Sequence, residues 1–334
     1  MSILVFADAR VAEHRPPQGH PERPERYLAA VAGLEVAGLG EAIEWREPTE
    51  APTEALLALH DRPHVDAIFS VGDDQLARID ADTHMGPGSL TAARLAAGAG
   101  LDAVAALRAG DADSAFCMVR PPGHHATPSQ AMGFCLFNNI AVAAQAITEI
   151  GEKVAIVDFD AHHGNGTQDA FFDRNDVLFI STHEYPQYPG TGALREQGRG
   201  DGQGYTINLP MPSGATGDVY LRAFDEVIEP AVEAFAPDWL LISAGFDAHR
   251  ADPLTNLGLT SGDFALMTSR LMTHVSPGRR IAFLEGGYDL DALGVSTAAC
   301  VGAMIGETTE AEAPTQGGPG QHVVDAAIEL REAH

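Results

Sequence analysis

Short apolar runs bounded by charged residues, glycine or proline recur along the whole chain. Several of these runs, such as ILVF at 3–6 and VAIVDF at 154–159, are apolar at consecutive rather than alternating positions. This pattern is typical of strands that are buried on both faces of a parallel sheet. The runs predict strands at residues 3–6, 42–45, 115–119, 154–159, 177–182, 205–209, 239–243 and 280–284.

Stretches with helical spacing of apolar residues lie between these strands. They predict helices at residues 24–37, 53–59, 89–108, 138–150, 217–235, 262–275 and 289–305. Strand and helix alternate, which favours one doubly wound α/β domain over residues 1–305, with a mainly parallel sheet flanked by helices.

The end of the chain has a different character. The stretch 306–322, GETTEAEAPTQGGPGQH, is acidic and rich in glycine, proline and threonine, so it cannot bury enough apolar surface to fold alone. It is interpreted as a linker that leads to a helical tail at residues 323–334.

Composition limits the classes of partner. The chain has 334 residues, 45% of them hydrophobic, which is enough for a sizeable core. Its formal charge of −27 repels phosphate backbones and anionic lipid head groups, so nucleic acid and membrane surfaces are not expected partners and cationic substrates are favoured. The only lysine, Lys153, lies in GEKV, which excludes a P-loop.

The cysteines and the N-terminus indicate the compartment. Cys117, Cys135 and Cys300 are odd in number and widely spaced, so they predict neither a disulfide framework nor a zinc knuckle. The N-terminus lacks a basic region followed by an apolar one, and no run of about 18 apolar residues was found. A cytoplasmic protein is expected.

Polar residues and glycines follow five of the predicted strands. Ligands of parallel sheets bind outside the carboxyl ends of the strands, so these residues are expected to meet there. The five segments are RPPGHH at 120–125, DFDAHHGNG at 158–166, HEYPQYPG at 183–190, AGFDAH at 244–249 and EGGYD at 285–289.

Three of these residues have the types and spacing of a metal site. Alternate side chains of an extended segment share a face, so Asp160 and His162 can act together as two ligands. Asp247, after another strand, would complete a three-ligand Zn²⁺ site with an open position for water. His163 faces away from this alternation and is interpreted as a structural hydrogen-bonding residue.

Other residues could move protons. His125 is the candidate general base and acid because imidazole titrates near neutral pH. His124 is a second member of this pair, with Asp158 as its orienting carboxylate. Tyr288 could donate a hydrogen bond to an oxyanion opposite the metal.

These motifs, in this order, resemble those of the histone deacetylase family, most of all its class II branch, with bacterial deacetylases and acetylpolyamine amidohydrolases among the relatives. The resemblance also covers HPERPER at 20–26, Asp82-Thr83, GFCLFNN at 133–139 and PGTG at 189–192. It implies the arginase-deacetylase fold with an eight-stranded parallel sheet. It further implies a zinc-dependent amidohydrolase that removes acetyl groups from acetyl-lysine in peptides and proteins, or from small acetylated amines.

The resemblance assigns roles to single residues. It implies one Zn²⁺ on Asp160, His162 and Asp247, with catalysis by His125, His124 and Tyr288. It implies K⁺ near Asp158, Asp160, His162 and Ser181, and often a second K⁺ near Phe171 and Val177. Phe134 and Tyr188 would form the walls of an acyl-lysine channel, and the other residues expected to touch substrate are Gly133, Leu254 and Asp82.

Two positions depart from parts of the family. Asn165 stands where class I members carry an aspartate beside the catalytic histidine, which should raise the pKa of His125 less. Leu254 follows Asp252-Pro253 where related polyamine deacetylases carry a glutamate gate. This lowers the acetylpolyamine alternative without removing it, because Asp82 or Glu184 could act as the gate instead.

Two other functions compete with zinc-dependent deacetylation. An arginase-like two-metal hydrolase would need further aspartates where this chain has Gly164 and His249. A non-catalytic module that binds acyl ligands would be expected to lose a ligand or the tyrosine, and this chain has all of them. Turnover of an acetyl-lysine substrate distinguishes the module from the enzyme.

Overall fold

One eight-stranded sheet forms the centre of the protein in the computed structural model, which describes residues 1–71 and 76–332. Every pairing in this sheet is parallel, in the order β2-β1-β5-β10-β9-β6-β7-β8. The strands are β1 Ile3–Ala7, β2 Ile43–Arg46, β3 Ala77–Arg78, β4 His84–Met85, β5 Ser114–Met118, β6 Val154–Asp158, β7 Val177–Glu184, β8 Thr206–Met211, β9 Trp239–Ala244 and β10 Arg280–Leu284. Strands β3 and β4 form a separate antiparallel pair that the sequence pattern did not predict.

Helices cover both faces of the sheet. They are α1 Glu25–Val36, α2 Thr53–Leu57, α3 Arg62–Val71, α4 Ser89–Ala109, α5 Asn139–Thr148, α6 Asn165–Phe171, α7 Gly217–Ala223, α8 Glu229–Phe235, α9 Ser261–Leu271, α10 Leu290–Ile305 and α11 Gln321–Glu332. Successive residues of β6 belong to two different core clusters: Val157 packs in one and Ile156 in the other. The consecutive apolar positions are therefore explained by burial on both faces, and the predicted doubly wound architecture is confirmed.

The predicted helix at 217–235 is interrupted. The structure has α7, then a π-helical segment Phe224–Ile228, then α8. Pro230 lies in the first turn of α8 and has no N–H to donate to the carbonyl four residues earlier. A local change of hydrogen-bonding register before the proline removes that conflict, so the single predicted helix becomes three segments.

Two short helices were missed by the pattern. Helix α3 begins next to Pro63, and α6 is only seven residues long and contains Gly166. Segments this short have little periodic signal, and glycine and proline have low helix propensity.

Among the described residues, α4 is the one helix whose length and apolar composition would allow it to span a membrane. It has 21 residues, and 67% of its most apolar window is buried inside the protein. Core helices of folded domains can be equally long and apolar. Helix α4 packs against α5, β5 and β10, as a core helix does.

Residues 306–320, interpreted above as a linker, contain no helix or strand but are attached to the domain by hydrogen bonds. Thr315 donates from both its N–H and its hydroxyl to Asp263 in the first turn of α9, and the N–H of Glu312 donates to Ser261. Helix α11 begins at Gln321, inside the predicted linker. The last two residues of the predicted tail, 333–334, lie outside the described residues.

Replacing Asp263 by alanine should lower the free energy of unfolding by about 2–4 kcal/mol, because a helix cap is lost and buried donors lose their acceptor. The Asp263 carboxylate accepts from Thr260, at 2.9 Å from its N–H, and from Thr315. Urea unfolding of the variant measures the effect. Asp291→Ala, an exposed acidic residue in the first turn of α10, is the control and should change stability by a few tenths of a kcal/mol. A loss equal to that control would contradict the role of Asp263.

Candidate active site

The five polar segments meet because their strands are neighbours. Strands β5, β10, β9, β6 and β7 follow one another in the sheet, so the loops at their carboxyl ends lie side by side. Residues of these segments that are as many as 162 positions apart in sequence are hydrogen-bonded to one another, as Gly123 is to Glu285. The site lies at this edge, where ligands of parallel sheets bind.

Asp160, His162 and Asp247 form a buried cluster. One ligand atom of each lies within 4.8 Å of the others. His162 Nδ1 is 2.9 Å from Asp247 Oδ2 and 3.2 Å from Asp160 Oδ1. Burial, together with the charge of Asp160, raises the pKa of Asp247 to about 7. Two buried carboxylates that face one imidazole nitrogen are a donor set that a divalent cation would stabilise.

The surrounding backbone approaches the cluster closely. The N–H of Gly286 donates to Asp160 Oδ2 at 2.8 Å, and the N–H of Ala161 donates to Asp247 Oδ1 at 2.7 Å. A Cβ at Gly286 would lie 2.2 Å from Asp247 Oδ2, and a Cβ at Gly245 would lie 1.9 Å from Asp160 Oδ2. Both positions require glycine, because any side chain would collide with the carboxylates of the cluster.

The two adjacent histidines have opposite environments. His124 Nδ1 is 2.9 Å from Asp158 Oδ2. Burial alone would lower the pKa of His124, but the charges of Asp158 and then Asp160 outweigh it and raise that pKa to about 10. Burial lowers the pKa of His125 well below its usual value, and the neighbouring His124 and His162 lower it further. One histidine is therefore held as a cation and the other as a neutral base.

Asn165 determines which nitrogen of His125 is free. Its side-chain oxygen lies 2.8 Å from His125 Nδ1, so that nitrogen carries the proton and Nε2 remains an acceptor. The ring of Tyr188 stands edge-on to the His125 ring at 5.1 Å. Tyr188, a predicted wall of the channel, therefore contacts His125, the predicted base.

Tyr288 is held from two sides. Its N–H donates to Asp252 Oδ2 at 2.7 Å, and the Arg26 guanidinium lies 4.9 Å from its ring centre. Burial raises the pKa of Tyr288 well above its usual value. The phenol therefore stays protonated and can donate a hydrogen bond. Asp252 also accepts from the N–H of Leu254, which links the two positions.

A buried ionic network under the site was not assigned a role from the sequence. Glu22 pairs with Arg26 at 3.2 Å and with Arg120, and Arg26 donates to the carbonyls of Gly287 and Glu285 at 2.6 and 2.5 Å. The Glu285 carboxylate accepts from the N–H of Gly123 and of His124, while burial raises its pKa to about 7. The spacing of Glu22 and Arg26 within HPERPER was the signal that could have revealed part of this network.

Phe134 lies at the rim of the site. Its N–H donates to Thr83 Oγ1 at 3.0 Å, and its ring is edge-on to Tyr288 at 5.9 Å and to His20 at 4.6 Å. A Cβ at Gly133 would lie 2.5 Å from His125 Cδ2, so glycine is required beside the base.

The remaining predicted substrate contacts are partly buried. Asp82 accepts through its carbonyl from His20 Nε2 at 2.9 Å. The Leu254 carbonyl accepts from the Gln187 amide at 3.3 Å. Glu184, the second possible gate, accepts two hydrogen bonds from Asn256, one from its backbone N–H and one from its side-chain amide. Glu184 is 5% exposed, so its carboxylate makes a structural contact.

The predicted potassium residues lie deeper in the fold. Ser181 pairs with Asp158 across β6 and β7, and its hydroxyl is 2.9 Å from His183 Nδ1. Phe171 and Val177 are both buried in one core cluster, and the Phe171 carbonyl accepts from the N–H of Arg174 at 3.0 Å.

The contacts of His163 and His249 bear on whether the site could hold a second metal ion. His163 bonds to Thr191 and Gln168 through its two ring nitrogens, at 2.8 and 3.1 Å. His249, which occupies a position where a two-metal site would need a carboxylate, lies with Nε2 2.6 Å from Glu312 of the C-terminal segment. These contacts are structural and add no second ligand set among the described residues.

Comparison with known proteins identifies the family. The model of the histone deacetylase domain matches residues 20–304. The chain belongs to the histone deacetylase family. This histone deacetylase-family chain is similar to a probable deacetylase of Archaeoglobus fulgidus, with 40% identity over 91% of this chain and 86% of that protein. It is also similar to a histone deacetylase-like amidohydrolase of Pseudomonas aeruginosa, with 38% identity over 81% of this chain and 73% of that one.

The resemblance to class II members is confirmed among plant relatives. Histone deacetylase 15 of Arabidopsis thaliana is 42% identical over 89% of this chain, which spans 55% of that longer protein. The crystal structure of the HDA15 HD domain superposes with a TM-score of 0.92 and 38% identity, covering 99% of this chain and 94% of that one. The arginase-deacetylase fold is therefore confirmed, and this histone deacetylase-family chain is a hydrolase of a family that uses a metal.

Proposed function

We propose that the protein is a zinc-dependent amidohydrolase that removes acetyl or other acyl groups from acetyl-lysine or similar N-acetylated amines. One observation carries the proposal. The buried Asp160–His162–Asp247 cluster lies beside a histidine pair whose pKa values are shifted in opposite directions, that of His124 upward beside Asp158 and that of His125 downward by burial. Pairs of titratable groups with pKa values pushed in opposite directions are typical of acid-base sites.

One metal ion fits this donor set. Two carboxylates and one imidazole nitrogen would hold Zn²⁺ and give it a formally neutral set of protein ligands. When bound, Zn²⁺ supplies a Lewis acid that polarises the acyl carbonyl and lowers the pKa of water.

The proton steps fall to His125. Its Nε2 is free to take a proton from the attacking water, because Asn165 holds Nδ1 in the protonated form. The same nitrogen then returns the proton to the leaving amine. His124, kept charged by Asp158, remains a cation beside it and stabilises negative charge that develops on the substrate.

Tyr288 donates to the oxygen of the tetrahedral species. Its phenol stays protonated, and Asp252 and Arg26 fix the segment that carries it. Phe134 and Tyr188 would hold the methylene stem of the substrate between their rings, because apolar surface is favourable against an uncharged stem. Gly133 leaves room for the stem close to His125.

An acetylpolyamine is the second substrate candidate, and the charge of −27 favours it because a distal ammonium group is attracted. Leu254 at the mouth offers no carboxylate for that ammonium group, so acetyl-lysine is favoured over an acetylpolyamine.

Structural K⁺ ions and a cytoplasmic location complete the proposal. Asp158 and Ser181 offer oxygen atoms for one K⁺, and Phe171 and Val177 are proposed near a second. The three cysteines are free and buried, and burial raises the pKa of the Cys117 and Cys135 thiols, which suits a reducing compartment.

Metal analysis and turnover test the proposal together. The purified protein should hold one Zn²⁺ per chain and hydrolyse an acetyl-lysine peptide at least as well as acetylputrescine or acetylspermidine. Two equivalents of Mn²⁺ in the active form, or no turnover of any acylated amine by the zinc-loaded protein, would overturn it. A preference for acetylpolyamines of about tenfold, or 1.4 kcal/mol in transition-state binding, would reverse the order of substrates.

Leu254→Glu should shift preference toward acetylpolyamines. A carboxylate at the mouth would pair with a distal ammonium that an acetyl-lysine side chain in a peptide lacks, so kcat/KM for acetylspermidine should rise by about three- to tenfold. Leu254→Gln is the matched control without the charge and should leave the ratio near the parent value. An equal shift in both variants would show that size, not charge, is responsible.

A further inference from the structure

A cavity of about 720 Å³ opens beside Tyr288. Most of segment 15–25 lines it, together with Pro253 and Tyr288. Ligand sites for small molecules have volumes of about 300–1,000 Å³. The cavity is therefore large enough for the part of a substrate that lies outside the acyl channel.

The cavity lies next to Phe134, which is one predicted wall of the acyl channel. His20 and Tyr288 both line the cavity, and the Phe134 ring contacts both of them, at 4.6 and 5.9 Å between ring centres. The His20 ring is fixed, since Nδ1 accepts from the N–H of Glu22 at 3.1 Å and Nε2 donates to the Asp82 carbonyl at 2.9 Å. A molecule with its stem against Phe134 would place its next groups in this cavity.

The charges around the cavity differ from those of the rest of the protein. Arg15 and Arg23 line it, both are exposed, and neither guanidinium has an ion-pair, hydrogen-bond or ring partner within residues 1–71 and 76–332. Most of the other arginines are paired, in a chain with 47 acidic and 20 basic residues. Glu25 is the one acidic residue in the described lining, so the lining is cationic overall.

We infer that this cavity binds an anionic group of the substrate, a carboxylate, and that the preferred substrates are acylated amines that also carry a free carboxylate near the end of the stem. A guanidinium binds a carboxylate through two parallel hydrogen bonds, and no described side chain occupies the guanidinium of Arg15 or Arg23. Nε-acetyl-lysine with a free α-carboxylate has this chemistry. An acetylpolyamine has a cation where this lining is cationic.

This inference rests on the proposed function, so its test compares two substrates that differ only in that charge. Nα,Nε-diacetyl-lysine has a free carboxylate, and its methylamide does not. The parent protein should have a KM about tenfold lower for the carboxylate, with similar kcat, because charged hydrogen bonds are formed equally in the ground and transition states. Assays at 0.15 M salt or above screen the long-range field of the acidic surface, while contacts within a few ångströms persist.

Substitutions of the arginines and of Glu25 in the cavity lining should change KM for the carboxylate in opposite directions. Arg15→Gln/Arg23→Gln should raise KM for the carboxylate to that of the methylamide and leave the methylamide unchanged. Glu25→Gln should lower KM for the carboxylate about twofold, because a repelling charge is removed. Arg195→Gln, which removes an exposed and unpaired arginine outside the cavity lining, is the control and should change neither substrate.

Two outcomes separate this inference from the proposed function. Hydrolysis of both compounds with equal KM, or a preference that survives the double substitution, would overturn the carboxylate site and leave the deacetylase proposal intact. Calorimetric binding that prefers the carboxylate tenfold without turnover of either compound would support the site and overturn the catalytic proposal.

Discussion

Asp247→Ala should yield a folded protein that retains almost no zinc and has no measurable deacetylase turnover. Asp247 supplies one of three clustered ligand atoms, and two protein ligands rarely hold zinc. The loss of metal affinity should exceed the roughly 10–100-fold effect of removing a residue that only orients a ligand. Metal content after dialysis against a weak chelator measures it directly.

Thermal unfolding provides a second measurement for Asp247→Ala. A metal that binds only the folded state raises the melting temperature, so a chelator should lower it in the parent protein and leave the variant unchanged. Asp201→Ala, an exposed acidic residue in another loop, should keep both the metal and the chelator response. One equivalent of zinc retained in Asp247→Ala would mean that Asp247 is not a ligand.

His125→Ala should lower kcat by about 10²–10⁴, the usual contribution of a positioned acid-base group, while zinc content stays at that of the parent protein. Tyr288→Phe should lower kcat by about 10²–10³, because one donor to the oxyanion is lost. KM should change little in both, since each group acts mainly in the transition state. Steady-state kinetics with metal analysis on the same preparations checks both variants.

Controls for these two variants remove the same chemical groups elsewhere. His322→Ala changes an exposed residue, and Tyr205→Phe changes a half-buried residue whose ring packs on Phe235; both lie outside the site and should keep parent rates. A rate near that of the parent in His125→Ala or Tyr288→Phe would show that the role of that residue is wrongly assigned. Loss of zinc in either would instead indicate a structural effect on the ligand cluster.

The strands and the chemistry of the site could be predicted because each depends on neighbours along the chain. All eight predicted strands were found in the sheet. In the inner strands, burial on both faces leaves an apolar run, as in β10, whereas the edge strand β2 is partly exposed. Asp160 and His162 are two residues apart after β6, and the prediction that Asp247 joins them needed only the rule that parallel strands end at one edge.

The prediction of residues 217–235 as one helix was incomplete because periodicity does not detect a change of hydrogen-bonding register before a proline. The interpretation of 306–322 as a linker considered only whether this segment could fold by itself. Its contacts are with Asp263 and Ser261, about 50 residues earlier, and no local pattern reveals such partners.

The sequence by itself determined the order of strands and helices, the family, and the residue types that could bind a metal and move protons, because periodicity, spacing and motifs are local properties. Tertiary structure alone decided that Arg26 supports the Gly287 backbone and that Asn165 leaves Nε2 of His125 free. It also decided that Arg15 and Arg23 line a cavity and have no partner among the described residues. The physical reason is that hydrogen bonds, burial and unpaired charge depend on which distant residues come within a few ångströms, and only the folded chain defines those distances.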